Sequence, residues 1–249
     1  MKRLFFILTT ILLATIKLSA QDLLQSANEA YAKGDFAKAT ELYEAALKEN
    51  GESATVYYNL GNSYYKANRI APSILNYERA LLLDPGNSDI RFNLEIAKLK
   101  TVDKIEPVGE FFLTSWFRSV QNLLSIDAWS KFGIISFILL IGSLFLFFFS
   151  RKIIIKRLSF YAGICFLILT ISGNIFAYNQ KKRLTERNSA IIFVPTTTIK
   201  SSPDESGTDL FILHEGTKVR LKSKIGHWNE IETADGNVGW IKNEEVEGI

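Results

Sequence analysis

Hydrophobic positions follow three rhythms along this chain of 249 residues. Continuous apolar runs occupy Leu4 to Ile16, Phe132 to Ser150 and Leu158 to Gln180. Helical spacing organises residues 21–100, where apolar and small residues recur at intervals of three and four. After Arg187 the rhythm shortens to β-rich runs, AIIFV, TTTIKSSP, KVRLKSKIGHWNEIET and VGWIK, separated by turn signals at Glu215-Gly216 and Asp235-Gly236. This pattern predicts a multidomain membrane protein with an all-α segment, a two-helix transmembrane hairpin and a small all-β domain.

The first run has the layout of an export signal. Lys2 and Arg3 precede the apolar core, and Ser19 and Ala20 close it, so residues 1–20 read as a signal peptide. Lys17 and Leu18 make the cleavage site imperfect, which leaves an uncleaved anchor as the alternative. The runs at 132–150 and 158–180 hold no charged residue, and each matches the roughly 20 helical residues that cross a ~30 Å hydrocarbon core. Between them stands RKIIIKR, 151–157. Cationic residues in short loops stay on the cytoplasmic side, so this loop is expected in the cytoplasm. Lys131, Lys181, Lys182 and Arg183 flank the opposite ends, and the export signal breaks the tie. Both soluble segments are then expected in the periplasm, with two spans in the bacterial inner membrane. Residues 101–131 form a linker and an amphipathic stretch. Phe112, Trp116, Val120 and Leu123 make one row, and Leu113, Phe117 and Leu124 adjoin it. Such a helix either lies in the membrane interface, with Trp116 and Trp129 at headgroup depth, or packs on the preceding domain.

Charge refines the choice of partner. The chain has a formal net charge of +3, but residues 21–100 carry −2 and residues 190–249 carry −4. The basic excess therefore flanks the apolar runs. Nucleic-acid binding needs a basic face on a folded domain, so no nucleic acid is expected and the lipid bilayer is. The sole cysteine, Cys165, lies inside an apolar run, which excludes a disulfide within the chain and a cysteine-based metal site.

The helical segment repeats itself. With LLQSANEAYAKGDFAKATELYEAALKENG placed over YYNLGNSYYKANRIAPSILNYERALLLDP at an offset of 34, Tyr31 falls on Tyr65, Gly34 on Asn68, Tyr43 on Tyr77, Ala46 on Ala80 and Leu47 on Leu81. This period, with Leu60-Gly61, Tyr64, Tyr77, Ala80 and Pro85 in the second copy, resembles the tetratricopeptide repeat. Gly61 and Ala80 are small where two helices should cross, and Gly34 and Asn68 sit where a left-handed turn is needed. Ser73 replaces the alanine usual in the family and is expected to loosen the packing slightly. The segment 88–100 reads as a capping helix. Two repeats and a cap are short, so a partner or the membrane-proximal helix is expected to complete the core. The resemblance implies a concave peptide-binding groove lined by Leu24, Asn28, Tyr31, Tyr58, Asn62, Tyr65, Phe92 and Ile96. Leu24 stands where a carboxylate-clamp lysine is expected, so that particular activity is not carried over.

The order SSP, LHEGTKV, HWNEI, DGNVGWI over residues 190–249 resembles bacterial SH3-like (SH3b) domains. Gly239 is expected to bring the chain close beneath the sheet, Trp240 to plug one end of the barrel, and Trp228 to flank a ligand groove. SH3b domains often bind wall peptide. Only His214 and His227 accompany the intramembrane thiol, so no nucleophile or metal cluster assembles; no enzyme and no cofactor is expected. In their order these modules resemble the E-type member of the Bacteroides aerotolerance (Bat) group, and that resemblance implies protein partners such as von Willebrand-type and MoxR-type ATPase proteins. The expected function is a non-enzymatic envelope scaffold, with an envelope sensor whose SH3b domain binds wall peptide as the alternative.

Overall fold

The computed structural model describes residues 22–109 and 111–249, and the expected export signal lies outside them. The chain divides into two units. One gathers the repeat helices, residues 87–109 and residues 188–249; the other holds residues 82–86 and 110–187.

In the first unit five helices follow one another: α1 (residues 22–32), α2 (Phe36–Asn50), α3 (Ala54–Lys66), α4 (Ile70–Leu83) and α5 (Ser88–Lys98). The Asp35 carboxylate caps α2 by accepting from the Lys38 backbone N at 3.0 Å, and Asn87 caps α5 by accepting from Asp89 N and Ile90 N. The hairpin turns fall at Gly34 and Asn68, both in the left-handed region at φ +80° and +57°. A Cβ on Gly61 would lie 2.7 Å from the Tyr77 ring, so only glycine lets α3 and α4 pack this closely. Ser73 does not loosen the crossing. It is fully buried and donates to the Gly61 carbonyl at 2.8 Å, tying α4 to α3 where the first repeat has Ala39.

The β domain is a seven-stranded antiparallel sheet: β1 (Ser189–Ile192), β2 (Thr196–Lys200), β3 (Asp209–His214), β4 (Lys218–Ile225), β5 (Trp228–Glu232), β6 (Val238–Lys242) and β7 (Val246–Gly248). Its order is β3-β2-β6-β5-β4-β1-β7. Ile192, Ile199, Val219, Ile231 and Ile241 form its core, and Ile105 from the preceding linker packs against them. Val108 N also donates to Ala234 O at 3.0 Å. The domain is thus built from both sides of the apolar hairpin. Trp240 is not the core plug expected from sequence. Along β6 the inward positions are Gly239 and Ile241, and Trp240 is half-buried on the outward face. A Cβ at Gly239 would collide with Ile199 Cγ2 and stand 3.0 Å from Lys200 O.

Within this unit the β domain contacts the repeat helices and the linker that follows them. Glu78, 8% exposed, pairs with Lys218 at 2.6 Å and with Lys98 at 3.6 Å. Arg79 Nη2 donates to Gly248 O at 2.5 Å and to Glu247 at 3.2 Å. Asp103 accepts from His214 N at 2.7 Å and from Thr217 Oγ1 at 2.6 Å, and its other oxygen faces His214 Nδ1 at 2.8 Å.

The second unit contains α6 (Phe112–Gln121), α7 (Ile126–Phe149) and α8 (Ile153–Glu186). α7 and α8 are long and apolar enough to cross a membrane, and their apolar side chains are largely exposed. Small residues line their mutual face: a Cβ on Gly173 would lie 3.3 Å from Gly133 Cα, and one on Gly163 would lie 3.7 Å from Ser143 Cβ. The turn between them is shorter than RKIIIKR suggested. Residues 150–152 make it, and Ile153 to Arg157 already belong to α8.

Candidate protein-binding groove

Each first helix of a repeat carries an asparagine that its second helix holds in place. Tyr43 of α2 donates its hydroxyl to Asn28 Oδ1 on α1 at 2.5 Å, and Tyr77 of α4 donates to Asn62 Oδ1 on α3 at 2.6 Å. The two pairs are one repeat apart. Both tyrosines are buried, and burial first, then the neighbouring tyrosines, push their pKa values up. The hydroxyls therefore stay protonated and remain donors at neutral pH. Each asparagine oxygen is committed to its tyrosine, which leaves the amide NH2 as the group the asparagine can offer to a ligand.

α5 extends the arrangement. Asn93 Nδ2 donates to Asn62 Oδ1 at 2.9 Å and to the Tyr58 hydroxyl at 3.0 Å. The Tyr58 ring stands 6.0 Å from that of Tyr77. Tyr65 is half-buried beneath Lys100, whose Nζ is 4.4 Å from the ring centroid. Tyr31 meets Phe36 edge-on at 5.4 Å, and burial followed by the influence of Tyr58 raises its pKa. Phe92 is 65% exposed.

The expected groove residues thus separate by what they touch. Asn28 and Asn62 are locked donors; Tyr58 and Tyr65 are half-buried and linked to α5 or to Lys100; Phe92 is free of the core. Leu24 and Tyr31 pack against the first-repeat core, and Ile96 is half-buried. Sequence reasoning missed Asn93, Lys100 and the locking tyrosines. Asn93 was detectable, since it falls one period after Asn59. A separate cleft of about 410 Å³ lies between the repeats and the β domain, lined by Leu47, Leu60, Leu75 and Arg79 with Phe193 and Glu247, and by none of the candidate groove residues.

On the β domain, Trp228 is half-buried and pairs with Lys242, whose Nζ lies 5.8 Å from its ring centroid. Trp240, two residues before Lys242, points to the same outward face. The two tryptophans are therefore diagonal neighbours across β5 and β6. His214 is engaged with Asp103, and His227 is exposed in the β4–β5 turn.

Residues 24–89 match the tetratricopeptide repeat family. Over 69 residues the chain is 35% identical to the peroxisomal targeting signal receptor of Saccharomyces cerevisiae, a match covering 28% of this chain and 11% of that protein. The chain therefore spans about a tenth of the length of this relative. The helical repeats, followed by an antiparallel sheet, carry the protein–protein interaction role of such modules, and the repeat family is non-catalytic.

Proposed function

We propose that this chain is a membrane-anchored, non-enzymatic scaffold of the bacterial cell envelope that captures protein partners in the repeat groove. The observation that carries the reading is the repeated Tyr43–Asn28 and Tyr77–Asn62 bond, which presents amide donors at a fixed spacing beside Tyr58 and Tyr65. Amide donors flanked by aromatic faces suit an extended peptide, whose carbonyls need donors and whose side chains need apolar surface. The relative named above is a targeting signal receptor, in keeping with peptide capture here.

In this reading residues 1–20 export the chain, α7 and α8 anchor it in the inner membrane, and the even number of spans leaves both soluble segments on the periplasmic side. The β domain acts as an SH3b module. The order of the segments resembles the E-type member of the Bat group, and on that resemblance the partners are von Willebrand-type and other Bat-group membrane proteins in an aerotolerance-related complex. A second reading, an envelope sensor, is favoured by Trp228 and Trp240 sharing one outward face, a surface suited to wall peptide.

Co-purification from membranes tests the choice. Tyr65→Ala with Phe92→Ala should remove most co-purifying protein while Trp228→Ala leaves it in place. The reverse pattern would favour the β-domain reading.

A further inference from the structure

α6 presents two unlike rows of side chains. Phe112, Leu113, Trp116 and Phe117 form one row, and Thr114, Ser115, Arg118 and Ser119 the other. Phe117 reaches the Phe176 ring of α8 at 5.0 Å, but Phe112, Leu113 and Trp116 are 67%, 51% and 64% exposed. The end of the helix is fixed firmly. Gln180 Nε2 of α8 donates to Gln121 O at 2.7 Å and to Leu124 O at 2.8 Å, and Trp129 Nε1 of α7 donates to the same Gln121 carbonyl at 2.8 Å.

These bonds set the height of α6 against the hairpin. From Leu158 to Gln180 the helix rises about 33 Å, close to the ~30 Å of a hydrocarbon core. Gln180 therefore marks the membrane boundary opposite the 150–152 turn, and α6 is pinned at that boundary. Its uncovered apolar row adds to the exposed apolar side chains of α7 and α8. Cations gather at the same level. Lys181, Lys182 and Arg183 follow Gln180 directly, Lys131 lies two residues beyond Trp129, and Arg118 stands on the polar row of α6. Among the described residues the acidic ones at this end include Asp84, Asp127 and Glu186, the last paired with Lys182 at 3.7 Å, and the cations outnumber them.

Building on the membrane-anchor reading, we infer that α6 and this basic collar bind acidic phospholipid in the leaflet at that end of the hairpin. The acyl chains cover Phe112, Leu113 and Trp116, and the phosphates face Lys131, Lys181 and Lys182. A zwitterionic lipid satisfies the apolar row alone. An acidic lipid satisfies both rows, gaining about fivefold in affinity for each cation close to its headgroup.

The test uses the full-length chain in nanodiscs of phosphatidylcholine mixed with phosphatidylglycerol, with native mass spectrometry of the lipids retained on release. The native chain should retain phosphatidylglycerol several-fold above its share of the mixture, and rising salt should erode the excess. The exposed-face variant Lys131→Gln, Lys181→Gln, Lys182→Gln should enter nanodiscs equally well and retain the two lipids in proportion. Entry of the native chain with no preference, or a preference unchanged in the variant, would overturn the lipid site and leave the anchor standing. Failure of the native chain to enter nanodiscs would overturn the anchor and the lipid site together.

Discussion

The Tyr77 hydroxyl donates a hydrogen bond to Asn62 Oδ1 at 2.6 Å, across the α3–α4 crossing. Tyr77 is 1% exposed, so the bond is structural at one end while the amide of Asn62 is available for binding at the other. Asn62→Ala should leave a buried hydroxyl unpaired and cost about 1–3 kcal/mol. Asn62→Asp keeps the acceptor and removes the donor. Amide hydrogen exchange of α3 and α4 should accelerate in the alanine variant and change little in the aspartate variant, while both lose partner binding.

Gly239→Val should unfold the β domain and leave the repeats helical. A side chain there collides with Ile199 and the Lys200 carbonyl, both on β2. Overpacking of this kind costs ~1–3 kcal/mol. The measurement belongs in the full-length chain, because Ile105 and Val108 contribute to the domain from outside residues 188–249. Protection from hydrogen exchange retained throughout β2, β5 and β6 would contradict it.

Much of this architecture was legible in the sequence, and for physical reasons. A 34-residue period repeats because each helical hairpin must bury the same face against the next, so Tyr43 and Tyr77, like Gly34 and Asn68, take equivalent positions. The apolar hairpin was legible from charge-free length alone. The docking of the β domain on α4 was not. Asp103 and His214 are 111 residues apart in sequence with the hairpin inserted between them, and no periodicity links them. Trp240 was misplaced because aromatic character suggests burial, whereas the alternation of β6, with Gly239 facing inward, decides the side. Ser73 looked like a packing defect because only the structure supplies its partner, the Gly61 carbonyl.

The junction between the repeats and the β domain should weaken in acid. Burial opposes ionisation of Asp103, but the bonds from Thr217 and His214 outweigh it and hold the carboxyl below its ordinary range. Burial likewise opposes ionisation of Glu78, and Lys218 and Lys98 outweigh it. Both folded values are depressed. Their stabilisation is therefore complete above the ordinary carboxylate pKa of about 4 and disappears as pH falls through the lower folded values. Hydrogen exchange at Thr217 and Lys218 should rise below that range, and Asp103→Asn should remove part of the pH dependence. A junction equally protected on both sides of it would refute this assignment.

On the proposed topology, with two spans and the 150–152 turn in the cytoplasm, both soluble segments should be open to protease added to spheroplasts. Protection of either while the inner membrane is intact would contradict the topology.

The central claim is that the repeat groove, and not another face, holds the partner. A photo-crosslinking amino acid at Phe92 tests it most directly, because Phe92 is largely exposed and its replacement leaves the core intact. The same probe at Glu49, exposed on α2 and outside the groove, serves as the control. Irradiation of intact membranes should yield discrete protein adducts from position 92 and none from position 49. Adducts from position 49 alone, or from both equally, would contradict the groove as the binding surface.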